Sequence, residues 1–589
     1  MALFSILCKR SRNVPFFALN PSYSTSPSIA PKPPKIKALT SYHRKLAMEA
    51  AMTALKDYLY STRYLPLSLS EQISLNSPIS LSSYLCRLQF PTSSFNSSDF
   101  PQFFRRSFSF KEPINEFDFF FESIGVFHKP KPSESLFLSD DLRLVEGVNQ
   151  LIRLGFPYKK IGLLCPSKAL WVAPNELSRR FEKVAHSTFL GRNCIVAICL
   201  AFPKVLTRDD ADSLLGDLRT FFVDNDVVNS MGNEVDNYLD ICEKIQIFYE
   251  LGSAEGSIGS LLRENDWVIF DTDKKELRKR LDFFAKLGMK EDLGQFLLRN
   301  SREIFKLDFE LTISIPEYLH FVGVEENEAN NVILAYPYVV GKNKLGNLPR
   351  IMCAVGLSDW FLSRVQHSNI KLFSPIFVSD ALNYDSAIEE EFVKGLEQAK
   401  LHKRGKLVIY KVEFLQSIGF GMNKFTARFA AALSGSKEDL HERFELLLNQ
   451  GIEPKRICKM LRKAPKLLNQ SKDSIMEKII FLCNHLGHNL DYLDSFPAFL
   501  CFDLENRIKP RYRILDWLKE VGVLTRSFAP ATVLAGSEKK FMEILYAIHP
   551  AAPKQWLENF SSRNHRENYR KNLFAPKVNF GFPLVVKSN

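Results

Sequence analysis

The chain has 589 residues, several times the usual span of one hydrophobic core, so it is either multidomain or an extended repeat array. Hydrophobic residues make up 46% and charged residues 24%, a balance that excludes disorder for the main body, and 49 Phe against 26 Gly weighs against an all-β chain rich in tight turns. The net charge of +12 is unevenly spread: residues 402–589 hold about 31 Lys and Arg against 18 Asp and Glu, and the first 48 residues hold eight positive charges and no acid, which leaves residues 49–401 near −9. A polyanion is therefore drawn to the end of the chain and not to its centre.

The leader carries Lys9, Arg10, Arg12, Lys32, Lys35, Lys37, Arg44 and Lys45 among many Ser and Pro, the composition of an organellar transit peptide over 1–45. The early Arg10 and Arg12 point to the mitochondrion, with the chloroplast as the alternative. Residues 46–139 form a variable Ser- and Phe-rich region of short helices, and the aromatic run 117–121 reads as core packing because base-stacking aromatics alternate with exposed cations. The ten cysteines show no CxxC pair and read as buried small hydrophobes in a reducing compartment. The longest apolar runs, such as 194–202, are about half of the roughly 20 residues that cross a bilayer, so no membrane span is expected.

From residue 140 a repeat emerges: an apolar helix ending at Gly, a second helix with apolar positions about ten residues later, and then Pro or a polar residue before an aliphatic. Its clearest copy is Leu447, Gly451, Ile457, Leu461, Pro465 and Leu468, and another is Gly323, Ile333, Pro337 and Val340. The glycines alone register at 252, 288, 323, 356, 419, 451, 487 and 522, with steps of 32 to 36 apart from one jump of 63, read as two units with a degenerate member around 389–405. Gly155 and Pro203 mark earlier, decayed units. A period near 35 with two helices per unit predicts an all-α solenoid over 140–545, followed by a basic tail over 546–589.

The pattern Leu447, Gly451, Ile457, Leu461, Pro465, Leu468 resembles the repeat of the mitochondrial transcription termination factor (mTERF) family. The stretch 496–500, Phe-Pro-Ala-Phe-Leu, followed by 503–511, Asp-Leu-Glu-Asn-Arg-Ile-Lys-Pro-Arg, resembles that family's closing signature, and the match is best over 412–530. The resemblance implies a superhelix of helix pairs with a short third turn, a basic groove for double-stranded nucleic acid, no cofactor, and work in organellar transcription or RNA maturation. The long Phe-rich front and basic leader look most like a plant mitochondrial member.

On a helix opening at Pro454, Lys455, Arg456, Lys459, Arg462, Lys463 and Lys466 fall within an arc of about 120°, opposite Ile457, Met460, Leu461 and Ala464. No acid interrupts that arc from 454 to 472, which favours phosphate contact over a merely solvated face. Arg507, Lys509, Arg511 and Arg513 form a second cluster, expected on an equivalent helix that continues the same track, and Arg563, Arg566, Arg570 and Lys571 extend it into the tail. No GxxxxGK[ST], HExxH or GxSxG motif occurs; Gly419-Phe-Gly421 lacks the rest of a dinucleotide loop, and His485 with His488 lacks the further ligands that zinc needs. The expected function is non-catalytic, without metal or cofactor: duplex DNA binding that regulates mitochondrial transcription or its termination. RNA binding in intron splicing or ribosomal RNA maturation is the alternative within the class. A protein-interaction scaffold using the acidic middle repeats is the alternative outside it.

Overall fold

The computed structural model describes residues 40–88, 99–110, 114–126, 136–227, 234–290, 292–367, 370–373, 384–402 and 405–561. The chain divides into two compact units, Met1–Gln246 and Ile247–Asn589. Both are built from helices. Among the described residues the sheet content is one antiparallel pair of three-residue strands, β1 (Thr312–Ser314) and β2 (Lys342–Lys344), with Ile313 opposite Asn343. The all-α solenoid class expected from the repeat is the class observed.

The described part of the first unit begins with the helix Ser41–Asp57, whose N-cap Thr40 accepts from the His43 amide, so helix starts inside the segment expected to be leader. The Ser-rich composition that follows is explained by packing. Ser70, Ser77, Ser82 and Ser107 are buried, and each hydroxyl donates to the carbonyl four residues back, which removes the cost of burying it and leaves a small side chain where helices approach. Phe117, Phe119 and Phe120 are buried, in line with the core reading of that run. Buried Glu122 accepts from the amides of Ile79 and Ser80, both at 2.6 Å, and so caps the helix Pro78–Arg87, which has no side-chain cap of its own. The decayed repeats follow: Leu142–Arg153 ends before Gly155, and Pro174–Thr188 leads to Arg192–Ala201 and the short helix Pro203–Leu206.

In the second unit the best-matched repeat shows the full design. Ser436 and Asp439 form a capping box that starts Lys437–Asn449, Gly451 ends it, Pro454 opens Pro454–Lys463, and Pro465 breaks the chain into the short helix Pro465–Asn469. All eight registered glycines have φ between 68° and 107°. At Gly451 a Cβ would meet nothing within 4 Å, so the requirement there is conformational and not steric. The jump of 63 has a different content from the two units with one degenerate member expected. The repeat of Gly356 closes at Ile370–Phe373, and a single 19-residue helix, Tyr384–His402, precedes the next first helix, Gly405–Ser417. Gly395 lies inside this inserted helix, where a Cβ would come within 2.8 Å of Ala427 on the helix Lys424–Ala432.

One step of the register after Gly155, 34 residues on, stands Phe189, which ends Pro174–Thr188 in the left-handed conformation at φ 58° with its ring 74% exposed and Arg219 4.9 Å from its centroid. Two substitutions of opposite sign test this register. Gly451→Ala lowers stability by about 1 kcal/mol, the backbone cost of a Cβ in the left-handed region. Phe189→Gly raises it by up to about 1 kcal/mol, offset in part by removing the ring on which the Arg219 guanidinium rests. Urea unfolding midpoints of the two variants check both.

Candidate nucleic-acid interface

The helix Pro454–Lys463 has the two faces its sequence demands. Ile457, Cys458, Met460 and Leu461 are buried, with Ala464 just past the end, while Lys459, Arg462 and Lys463 are exposed and Lys466 follows, also exposed, in the next turn. The buried face packs on Leu348–Val355 and on Tyr492–Ser495 and Pro497–Cys501 of the following repeat.

Partners separate the six basic residues of this segment. Arg456 is committed to the next repeat: its guanidinium bonds Asp491 at 2.8 Å, Asp494 at 3.0 Å and the Leu490 carbonyl at 3.3 Å. Burial opposes its charge, but the hydrogen bonds and charges of Asp494 and Asp491 outweigh that and hold its pKa above the ordinary value. Lys463 donates to the Asp494 carbonyl at 2.6 Å, and Lys455 pairs with Glu453 at 3.2 Å. Lys459 stands 4.7 Å above the Tyr336 ring. Arg462 and Lys466 have no acidic partner among the described residues.

The second cluster is not on an equivalent helix. Leu504–Ile508 runs into Lys509–Glu520, the first helix of the repeat that ends at Gly522, whereas Pro454–Lys463 is the second helix of its own. Arg511 is 2% exposed and donates to the Val533 and Gly536 carbonyls at 2.7 and 3.2 Å, with Glu538 at 2.9 Å and the Phe541 ring beneath it. Arg507 donates to the Leu534 and Gly536 carbonyls at 2.6 and 2.8 Å and lies over Phe502. Burial pushes both guanidinium pKa values down. Lys509 pairs with Glu505, which leaves Arg513 as the exposed member without an acidic partner among the described residues. Arg563, Arg566, Arg570 and Lys571 lie outside the described residues. His485 rests on Phe481 and faces Asp516 at 3.4 Å, and His488 stacks on Tyr492.

Arg511 belongs to a series that the sequence reading missed. Arg280 donates to the Ile304 carbonyl, Lys411 to Leu433 at 2.7 Å, Arg443 to Leu468 at 2.8 Å and Lys478 to Leu500 at 3.1 Å. In each case a cation on the first helix satisfies the last carbonyls of the helices that close the same repeat. Arg280, Lys411 and Lys478 are under 9% exposed, and burial holds the Lys478 ammonium below the ordinary lysine pKa. The signal was present in the spacing: the cation stands eight residues before Gly288, Gly419 and Gly451, and nine before Gly487.

A tandem array of helix pairs with left-handed glycine stops, interior cations and one exposed basic second helix defines the class of helical-repeat proteins. Over residues 400–542 the chain matches the mTERF family model. It is 35% identical over 549 residues to "Transcription termination factor MTEF18, mitochondrial" of Arabidopsis thaliana, which covers 90% of this chain and 96% of that protein. It is also 28% identical over 336 residues to "Transcription termination factor MTERF15, mitochondrial" of the same plant, covering 57% of this chain and 60% of that one. With "Transcription termination factor MTERF8, chloroplastic", again from Arabidopsis thaliana, it shares 27% identity over 263 residues, 44% of this chain and 47% of that one. The chain belongs to the mTERF family.

The interior assignment of Arg511 has a direct consequence. Arg511→Ala takes the side-chain donor from the Val533 carbonyl and the charge partner from Glu538, which keeps its bond from the Trp556 indole, and lowers stability by about 3 kcal/mol, whereas Arg513→Ala, two residues away, stays within about 0.5 kcal/mol of the parent. Denaturant unfolding of the two variants reads the difference.

Proposed function

We propose that the chain is a mitochondrial nucleic-acid-binding protein that regulates transcription, including its termination, by holding duplex DNA against the second helix and third turn of the repeat around Gly451. The observation that carries this reading is the exposure of Lys459, Arg462 and Lys466 on one side of 454–466, two of them without an acidic partner among the described residues. Unpaired cations spaced along a rigid helix meet phosphates without the cost of breaking ion pairs, and each contact releases counterions. The same contacts position a duplex without reading its sequence. The names of the related proteins, which are transcription termination factors, and the acid-free leader support the organellar role; two of the three related proteins are named mitochondrial. The role is a binding role, with no catalytic residue assigned.

The structure narrows the set of residues to be tested. Lys459, Arg462 and Lys466 are the core of the proposed contact, Lys455, Lys463 and Arg513 are peripheral to it, and Arg456, Lys509, Arg507 and Arg511 are engaged within the protein. Replacing Lys459, Arg462 and Lys466 together by Ala flattens the log–log salt dependence of duplex DNA binding by about 3. Binding falls alike on unrelated sequences, and the helical dichroism is unchanged because all three side chains are exposed. Fluorescence anisotropy titrations across a salt series check this. An unchanged slope and affinity in the folded triple variant reject the proposed contact, and a duplex RNA held more tightly than the DNA of matching sequence moves the role to RNA.

A further inference from the structure

Four first helices of the second unit meet around a polar cavity of about 180 Å³, well above the roughly 10–15 Å³ that admits one water. Lys286 comes from Lys274–Lys286, Arg350 from Leu348–Val355, Ser417 from Gly405–Ser417, and His441 and Glu445 from Lys437–Asn449; Asn347 adds a side-chain amide from the turn before Arg350. These are first helices, so the cavity is built by a different set of elements from the second helix proposed to meet duplex, and it stands independently of that reading.

The charges around the cavity do not close. Glu445 accepts from Arg350 at 2.8 Å, using one of the five guanidinium donors, and Lys437, near His441, is paired with Glu413 at 2.9 Å. Lys286 has no acidic partner among the described residues. His441 stands edge-on to Phe414 and 3.4 Å from the Ser417 hydroxyl. Burial, followed by the charges of Lys437, Arg350 and Lys286, holds its pKa below the ordinary imidazole value, and Glu438 opposes them only as the smallest contribution. One uncompensated cation therefore lies beside an imidazole whose protonation is opposed first by burial and then by its cationic neighbours.

We propose that this cavity binds a tetrahedral dianion, the phosphoryl group of free phosphate or of a phosphomonoester, with Lys286 and Arg350 as charged donors and His441 taking up one proton on binding. The charge then closes. Arg350 cancels Glu445, Lys437 cancels Glu413, and Lys286 with the imidazolium balances a charge of about −2. Asn347 and Ser417 supply neutral donors beside it.

Isothermal titration of the full chain near pH 7.5, in two buffers of different ionisation enthalpy, tests this with three probes: sulfate, inorganic phosphate and a nucleoside 5′-monophosphate. Sulfate does not titrate near neutrality, so any proton taken up with it belongs to the protein. The expected result is saturable binding with close to one proton taken up per sulfate. Lys286→Gln weakens binding about tenfold, as loss of a charged hydrogen bond does. His441→Gln abolishes the proton uptake, and Lys275→Gln, an exposed lysine on the same helix as Lys286, changes neither. Tighter binding of inorganic phosphate identifies the free anion as the source, and tighter binding of the monophosphate identifies a nucleotide. No saturable heat with any probe, binding of sulfate without proton uptake, or an equal loss in Lys275→Gln overturns the proposal.

Discussion

A helix that ends inside a protein leaves carbonyls that water does not readily reach, and in this chain those carbonyls are met by cations on the helix that opened the repeat, buried at Arg280, Lys411, Lys478 and Arg511 and half-buried at Arg443. Lys411, Arg443, Lys478 and Arg511, with Arg280 further upstream, each reach back to the end of their own repeat. Burying a charge is expensive unless hydrogen bonds replace its hydration, and a helix C-terminus is where a positive charge is most favourably placed. The contact fixes where the closing helices stop relative to the first. The left-handed glycine sets the turn between helices, and the cation holds the repeat shut, so the two together set the spacing on which every later feature is built.

This interior use of cations changes what the net charge means. The basic excess of the last third of the chain suggested a continuous track of cations, but part of it lies inside the repeats and does not face solvent. Arg507 and Arg511 cap the helix Pro530–Leu534, and Arg456 joins two repeats through Asp491 and Asp494. What remains outward around Gly451 is a short set, Lys459, Arg462 and Lys466, with Lys463 turned toward a carbonyl. On the proposed contact, substituting an interior cation changes stability, whereas substituting an outward one changes binding.

The repeat was legible because its punctuation is chemical: glycine is the residue that accepts left-handed backbone, and the periodic glycines mark helix ends that the structure confirms at each registered position. The two faces of Pro454–Lys463 were legible for a similar reason, since an apolar arc at helical period has one way to bury itself. Phe189 was missed because a bulky residue took the strained turn and hid one mark of the register. The inserted helix Tyr384–His402 was read as a degenerate unit because the jump of 63 is close to two steps of the register, and step length alone does not separate a helix pair from one long helix. The second basic cluster was expected on an equivalent helix, but Pro510 opens a helix there. It sits at the second position of Lys509–Glu520, so the cluster spans the start of a first helix. Whether a lysine faces phosphate or a buried carbonyl depends on contacts some 22 to 25 residues away, which local pattern does not contain.

The division between interior and outward cations is the centre of this account, and lysine acylation footprinting with and without saturating duplex DNA tests it most directly. The account predicts that Lys411 and Lys478 stay unreactive in both states, while Lys459 and Lys466 react readily in the free protein and are protected by the duplex. Rapid acylation of Lys411 and Lys478 in the folded protein, or unchanged reactivity of Lys459 and Lys466 when the duplex is bound, would contradict it.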